Sequence, residues 1–157
     1  MGLDMYLNKK TYVKRWDFQK PEAQHKVTVK LGGKVRKDIK PERIKEITEE
    51  VGYWRKANQI HQWFVKNVQD GKDECEETYL EREKLEELLE TCETVLADHS
   101  QAEKLLPSGS GFFFGSTDYD EWYYQDLENT VKILKGVLDE KPPEGGYSSD
   151  YYYRSSW

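Results

Sequence analysis

The chain has 157 residues and a mass of 18.6 kDa, carries a formal charge of −6 with a sequence pI near 5.2, and is 34% charged. Only 36% of residues are hydrophobic but 13% are aromatic, too many rings for a disordered chain, so a single domain over 1–157 with a ring-built core is expected. No apolar run approaches the length of a membrane span, the start Met1-Gly2-Leu3-Asp4 lacks the features of a signal peptide, and Cys75 and Cys92 have no CxxC or histidine spacing; a cytoplasmic protein without membrane contact, disulfide framework, metal site or cofactor is expected.

In chain order, Leu3, Met5 and Leu7 alternate with Asp4, Tyr6 and Asn8, the period of a half-buried strand. Val27, Val29 and Leu31 alternate with polar residues, Gly32-Gly33 supplies a turn and Lys34-Val35-Arg36 resumes the pattern, which predicts a hairpin with a lysine-rich outer face. A helix is predicted from Pro41, with Ile44, Ile47 and Val51 at helical spacing. Gly52 interrupts or bends it, and a further helical pattern runs through Trp54, Ala57, Ile60, Phe64 and Val68 to a stop at Asp70-Gly71.

Glu81 to Ala97 is an amphipathic helix, with Leu85, Leu88, Leu89, Cys92, Val95 and Leu96 on one stripe. The loop Pro107-Ser108-Gly109-Ser110-Gly111 leads through Phe112-Phe113-Phe114 to Thr117, a candidate cap with Asp120 at its third position. The last helix spans Asp118 to Asp139, with Trp122, Leu127, Val131, Leu134 and Leu138 available for burial. Pro142-Pro143 ends it, and the ring-rich tail 147–157 either adds an edge strand or stays free. The expected fold class is α+β: a small antiparallel sheet from the N-terminal strand, the hairpin and, in one reading, the C-terminal strand, packed with three to four helices. Residues 1–37 are mainly strand, 41–139 mainly helical and 140–157 an aromatic tail.

Charge divides the chain. Residues 1–72 carry 17 Lys and Arg against 9 Asp and Glu, a balance of +8, while residues 73–157 carry 7 against 21, a balance of −14. Either the basic half is a patch for phosphates or the two halves neutralise each other. The acidic total disfavours general nucleic-acid binding.

Three groups of residues are candidates for function. On a helix, Arg55, Asn58, Gln59 and Gln62 share a face beside Trp54 and His61, and amides flanked by rings suit a neutral polar ligand such as a base or ribose; the alternative is a buried polar network. His61 has no nucleophile or orienting carboxylate at a spacing that places it alongside, so no catalytic motif is formed. Ser110, Ser116 and Thr117 lie in a Gly/Ser loop feeding a helix start, either a phosphate site completed by Arg55 or Lys56 or a scaffold for the phenylalanines; the loop lacks the P-loop lysine. Asp118-Tyr119-Asp120-Glu121 reads as an acid-rich helix start and lacks the spacing of a calcium loop. The surplus rings, Tyr119 and Trp122 among them, suit a ligand wall or a self-interface, hence a homo-oligomer.

Met1-Gly2-Leu3-Asp4-Met5-Tyr6-Leu7, Tyr53-Trp54-Arg55-Lys56-Ala57-Asn58-Gln59-Ile60-His61 and Ser110-Gly111-Phe112-Phe113-Phe114-Gly115-Ser116-Thr117 resemble a family of small phage and prophage proteins along nearly the whole chain. The resemblance carries no site residues. It implies a phage setting, the host cytoplasm as the place of action, and an accessory role such as countering host defence. Two expectations follow. One is a non-enzymatic module that sequesters a small nucleotide-type ligand, such as a cyclic-nucleotide or ADP-ribose-derived immune signal, with Arg55, Asn58, Gln59, Gln62 and His61 reading polar edges, Tyr119 and Trp122 stacking, and Ser110, Ser116 and Thr117 with Arg55 or Lys56 meeting phosphate. The other is an inhibitor that contacts a host or phage protein, such as a host defence protein, through the acidic surface from Glu74 to Glu93 and the aromatic tail.

Overall fold

The computed structural model of the protein describes residues 2–111 and 114–157; Phe112 and Phe113, part of the predicted ring triplet, lie outside the described residues. The alternation at the N-terminus forms β1 (Asp4–Tyr12), which puts Leu3, Met5 and Leu7 fully inside. A small hairpin follows, β2 (Lys30–Leu31) with β3 (Lys34–Val35), turning through Gly32 at φ 56° and Gly33 at φ 82°. This hairpin is a separate two-stranded sheet and not part of the main one, contrary to expectation. Each strand contributes a single apolar residue, Leu31 or Val35, too short a run to offer the main sheet an apolar face, and both strands are exposed.

The segment predicted as a helix from Pro41 is a single 3-10 turn, Pro41–Arg43, followed by β4 (Glu46–Arg55). β4 pairs antiparallel with β1 and contains a bulge: Leu7 faces Gly52 but Asn8 faces Glu50, so Val51 is the extra residue. The bulge breaks the period of two, and Ile47, Val51 and Trp54 end up spaced by four and three, which imitates a helix. β-branched and aromatic side chains, together with β1 as a partner, decide for a strand. The helical pattern read from Trp54 onward accordingly begins late, as α1 (Asn58–Asn67), with Trp54 and Arg55 left on β4.

After α1 come β5 (Thr78–Leu80), α2 (Arg82–Ala97), the short α3 (Ala102–Leu105), α4 (Glu121–Asp139) and β6 (Asp150–Ser156). The tail is thus a strand, and a central one: the sheet order is β4-β1-β6-β5, antiparallel throughout. Tyr151 and Tyr153 point into the core while Arg154 faces out. The architecture is α+β, an antiparallel four-stranded sheet with helices on one face.

α1 lies directly on the sheet: Phe64 stacks on Tyr153 with ring centroids 4.0 Å apart, and Trp54 meets Phe64 edge-on at 5.9 Å. α4 crosses β4, where the Trp54 indole Nε1 donates to Thr130 Oγ1 at 2.8 Å. α2 runs antiparallel to α4, since Arg82 at the start of α2 donates to the Leu138 carbonyl near the end of α4 and His99, just past α2, stacks on Tyr124 near α4's start. Cys92 is buried between them, and that burial pushes its thiol up to about 12, so it is an apolar core residue. The opposite face of the sheet is open and carries Tyr6 against Tyr53 at 5.6 Å and Tyr79 against Tyr152 at 5.8 Å.

Candidate functional site

The chain from β4 into α1 makes a sharp corner at Lys56, which takes φ 57°, a left-handed conformation unfavourable for a side chain-bearing residue. The corner is held by Lys56 N–H donating to the Leu3 carbonyl at 2.8 Å, and Gly115, itself at φ 84°, packs against it, where a Cβ would lie 3.4 Å from that of Lys56. Across from this corner α4 begins. Its cap is Asp120, whose Oδ1 accepts from the N–H groups of Trp122 and Tyr123, both at 3.1 Å; Thr117 caps nothing, in contrast to its predicted role, because the helix starts at Glu121.

Between the two lies a cleft of about 330 Å³, lined by Arg55, Lys56, Asn58, Gln59, Ser116, Trp122 and, beside these, Asp118, Asp120 and Asp126. Six of the predicted ligand residues therefore meet in one place. Trp122, predicted to be buried, is 70% exposed, because the adjacent Tyr123 takes the inward position and donates its hydroxyl to the Leu106 carbonyl.

The amides are committed to the scaffold. Asn58 is buried; its Nδ2 donates to the carbonyls of Phe114 at 3.3 Å and Ser116 at 2.6 Å, and its Oδ1 accepts from Gly109 N–H at 3.1 Å. Gln59, also buried, donates to the Tyr123 carbonyl and to Asp126 Oδ2, each at 3.2 Å. One side chain thus ties the Gly/Ser loop to α1 and the other ties α4 to it. Because the amide stripe faces inward, the polar-network alternative describes Asn58 and Gln59.

The Gly/Ser loop likewise uses its own donors. Ser108 N–H donates to the Tyr119 hydroxyl at 3.2 Å, and Ser116 Oγ accepts from Asp118 N–H at 3.1 Å. Ser110 and Thr117 are exposed and do not line the cleft. Tyr119 packs on Tyr123 with centroids 4.9 Å apart. Gln62 opens onto a different groove, of about 350 Å³, beside Trp63, Lys66 and Glu87.

His61 is fully buried, and here the structure supplies what the local spacing lacked. Its Nε2 lies 2.9 Å from Asp73 Oδ2, brought round by the turn after α1, and its Nδ1 lies 2.7 Å from the Tyr153 hydroxyl. A carboxylate only accepts, so the network assigns a proton to Nε2, with Nδ1 accepting from Tyr153. Trp157 Nε1 donates to the other Asp73 oxygen at 3.0 Å, and Phe114 meets the imidazole edge-on at 5.0 Å. Sealed in this way, His61 fastens the C-terminal strand to α1 and cannot reach a ligand in the cleft.

Of the acids of the cleft, Asp118 and Asp120 belong to the acid-rich helix start read from the sequence, whereas Asp126 is not signalled there. Asp126 is half-buried; desolvation raises its carboxyl to about 6, against the lowering effect of the Gln59 hydrogen bond and with a further push from Asp120. Its position three residues after Tyr123 and four before Thr130, both buried on α4, is what turns it toward the interior. From the usual carboxylate value up to about 6, the folded state keeps a proton that the unfolded chain has released, so stability falls as pH rises through this window. Asp126→Asn is expected to flatten that fall and to stabilise the protein at pH 7.5 by about 1–2 kcal/mol, allowing for solvent screening of a half-buried side chain. Urea midpoints of both proteins at about pH 4.5, 6 and 7.5 give the difference.

Comparison with family models, with curated proteins and with solved structures returned no match for the chain.

Proposed function

We propose that the cleft between the Lys56 corner and the start of α4 holds a small nucleotide-type ligand and that the protein sequesters it. The observation carrying this reading is the juxtaposition of an exposed indole, Trp122, with Arg55 and Lys56 in a cleft of about 330 Å³. That volume falls at the small end of ligand sites. The indole offers a stacking face for a base, the two cations offer charge for phosphate, and Asp120 and Asp126 offer acceptors for ribose hydroxyls or a base amine. Asn58 and Gln59 act as positioning residues. Backbone strain at Lys56 supports the reading, since such strain clusters at sites of function.

With the phage resemblance, the ligand class is a cyclic-nucleotide or ADP-ribose-derived host signal and the role is to counter host defence. Native mass spectrometry of protein purified from cells carrying an active nucleotide-signalling defence reads retained ligand and subunit number together. A stoichiometric nucleotide-sized adduct is expected, with calorimetry against the identified nucleotide showing a loss of roughly tenfold or more for Trp122→Ala. A clean apo spectrum together with no heat across a panel of nucleotide signals sinks the reading.

A second reading, an inhibitor of a host protein, draws on α2, whose outer face exposes Glu83, Glu86, Glu87, Glu90 and Glu93. Of the tail, Tyr151 and Tyr153 are buried in the sheet, which leaves Tyr147 and Trp157 as its exposed rings for such a surface. Loss of a captured partner on reversing Glu83, Glu87 and Glu90 in charge would favour it.

A further inference from the structure

β1 and β4 are sheet neighbours, yet 33 residues separate their ends, and these form an arm that rests against Tyr147, where Gln19 Nε2 donates to the hydroxyl at 3.4 Å and His25 stacks on the ring at 6.5 Å. The arm is closed at its base, where the N–H groups of Val13 and Lys14 donate to the Lys45 carbonyl at 2.9 and 3.1 Å. No residue from 14 to 45 is buried. Within it stand 11 Lys and Arg against 4 Asp and Glu, a balance of +7 in a chain whose total is −6.

Sequence alone left open whether the basic half is neutralised by the acidic half. On β1 it is: Lys9 pairs with Glu140 at 2.8 Å, and Lys10 pairs with Glu77. Beyond β1 it is not. Among the described residues, the ion pairs of the arm, Arg15 with Glu42 and Arg36 with Asp38, are internal to it, and none joins it to the acidic C-terminal half. The arm therefore keeps its excess positive charge facing solvent.

It also carries exposed rings. Trp16 is 44% and Phe18 84% exposed, and the two stack at 6.2 Å with an interplanar angle of 16°. Lys14 Nζ sits 5.8 Å from the Trp16 ring, and Lys14, Arg15, Trp16, Gln24 and Arg43 line a hollow of about 550 Å³ together with Asp17 and Glu42.

We propose that residues 14–45 are an arm that binds single-stranded nucleic acid. Two exposed rings, Trp16 and Phe18, flanked by Lys14, Arg15 and Lys20 match such a strand, because unpaired bases stack on rings while the backbone follows the charge. A membrane-surface device would gather its rings on one face of an amphipathic helix, and the arm holds only two-residue strands and isolated 3-10 turns. The acidic total opposes nucleic-acid binding in general, and the arm separates its own charge from that total. This site is independent of the Trp122 cleft.

Fluorescence anisotropy of a labelled oligothymidine of about twenty nucleotides tests it with the full chain. Binding is expected at low salt, weakening as salt rises with a log–log slope of roughly −0.7 per phosphate contacted. Trp16→Ala with Phe18→Ala is expected to lose about tenfold or more with an unchanged melting temperature, since both rings are exposed, while Trp122→Ala keeps full affinity. Absence of binding at about 50 mM salt overturns the proposal. So does an affinity that survives removal of both rings, which marks simple electrostatic adsorption, or binding to phosphatidylserine vesicles without binding to the oligonucleotide.

Discussion

Tyr153→Ala is expected to cost about 3–5 kcal/mol in urea unfolding, the largest effect of any single substitution considered, because it empties a fully buried ring site at the centre of the sheet. Tyr153 stacks on Phe64 of α1 at 4.0 Å, faces Leu7 of β1 and Thr78 of β5 in register, and donates to His61 Nδ1 at 2.7 Å. Burial also holds its phenol well above the usual value, so it stays a neutral donor. Tyr153→Phe separates the two contributions. It keeps the ring and removes only the hydroxyl, leaving His61 Nδ1 buried without a partner, at a cost of about 1–3 kcal/mol. A Phe variant as stable as the parent would show that the hydroxyl bond to His61 contributes nothing net.

The second large effect is at Gly52. A Cβ built there would lie 2.9 Å from Ile133 Cγ2 of α4, 3.1 Å from the Trp54 indole and 3.2 Å from Leu7 Cβ, all closer than ordinary contact. The glycine is required by this close approach of α4 to the sheet, next to the Val51 bulge. Gly52→Ala is expected to destabilise by about 1–3 kcal/mol through overpacking. The double-mutant cycle with Ile133→Ala identifies the cause: in the alanine background the cost of Gly52→Ala should fall by at least half. Equal costs in both backgrounds would place the strain elsewhere.

Residues differ in how openly they declare their place. Leu85, Leu88, Cys92 and Val95 lie on one stripe of a chain segment otherwise rich in glutamate, and they are the buried residues of α2. Ile47 and Val51 mislead, since a bulge in β4 gives strand residues helical spacing. β5 is silent because a three-residue strand in a charged segment leaves no periodic signal. In the candidate site, Arg55, Lys56 and Trp122 were legible as unusual residue types, whereas Asp126 acquires its raised carboxyl only through burial in the folded chain, with a further push from Asp120. Asn58 and Gln59 stood out for the right reason, an amide stripe amid charged neighbours, but composition does not tell an inward amide from an outward one.

The sequence by itself determined the α+β class, the N-terminal strand, the Gly32-Gly33 turn and the two long amphipathic helices. These rest on local periodicity and turn chemistry that need no distant partner. Only the tertiary structure decided that 46–55 is a strand, that the aromatic tail lies at the sheet's centre between β1 and β5, and that His61 is joined to Asp73 and Tyr153. Tyr153 is 92 residues from His61, and strand pairing takes its stabilisation from a partner chosen by burial of the sheet's inner face, not from neighbours in the chain.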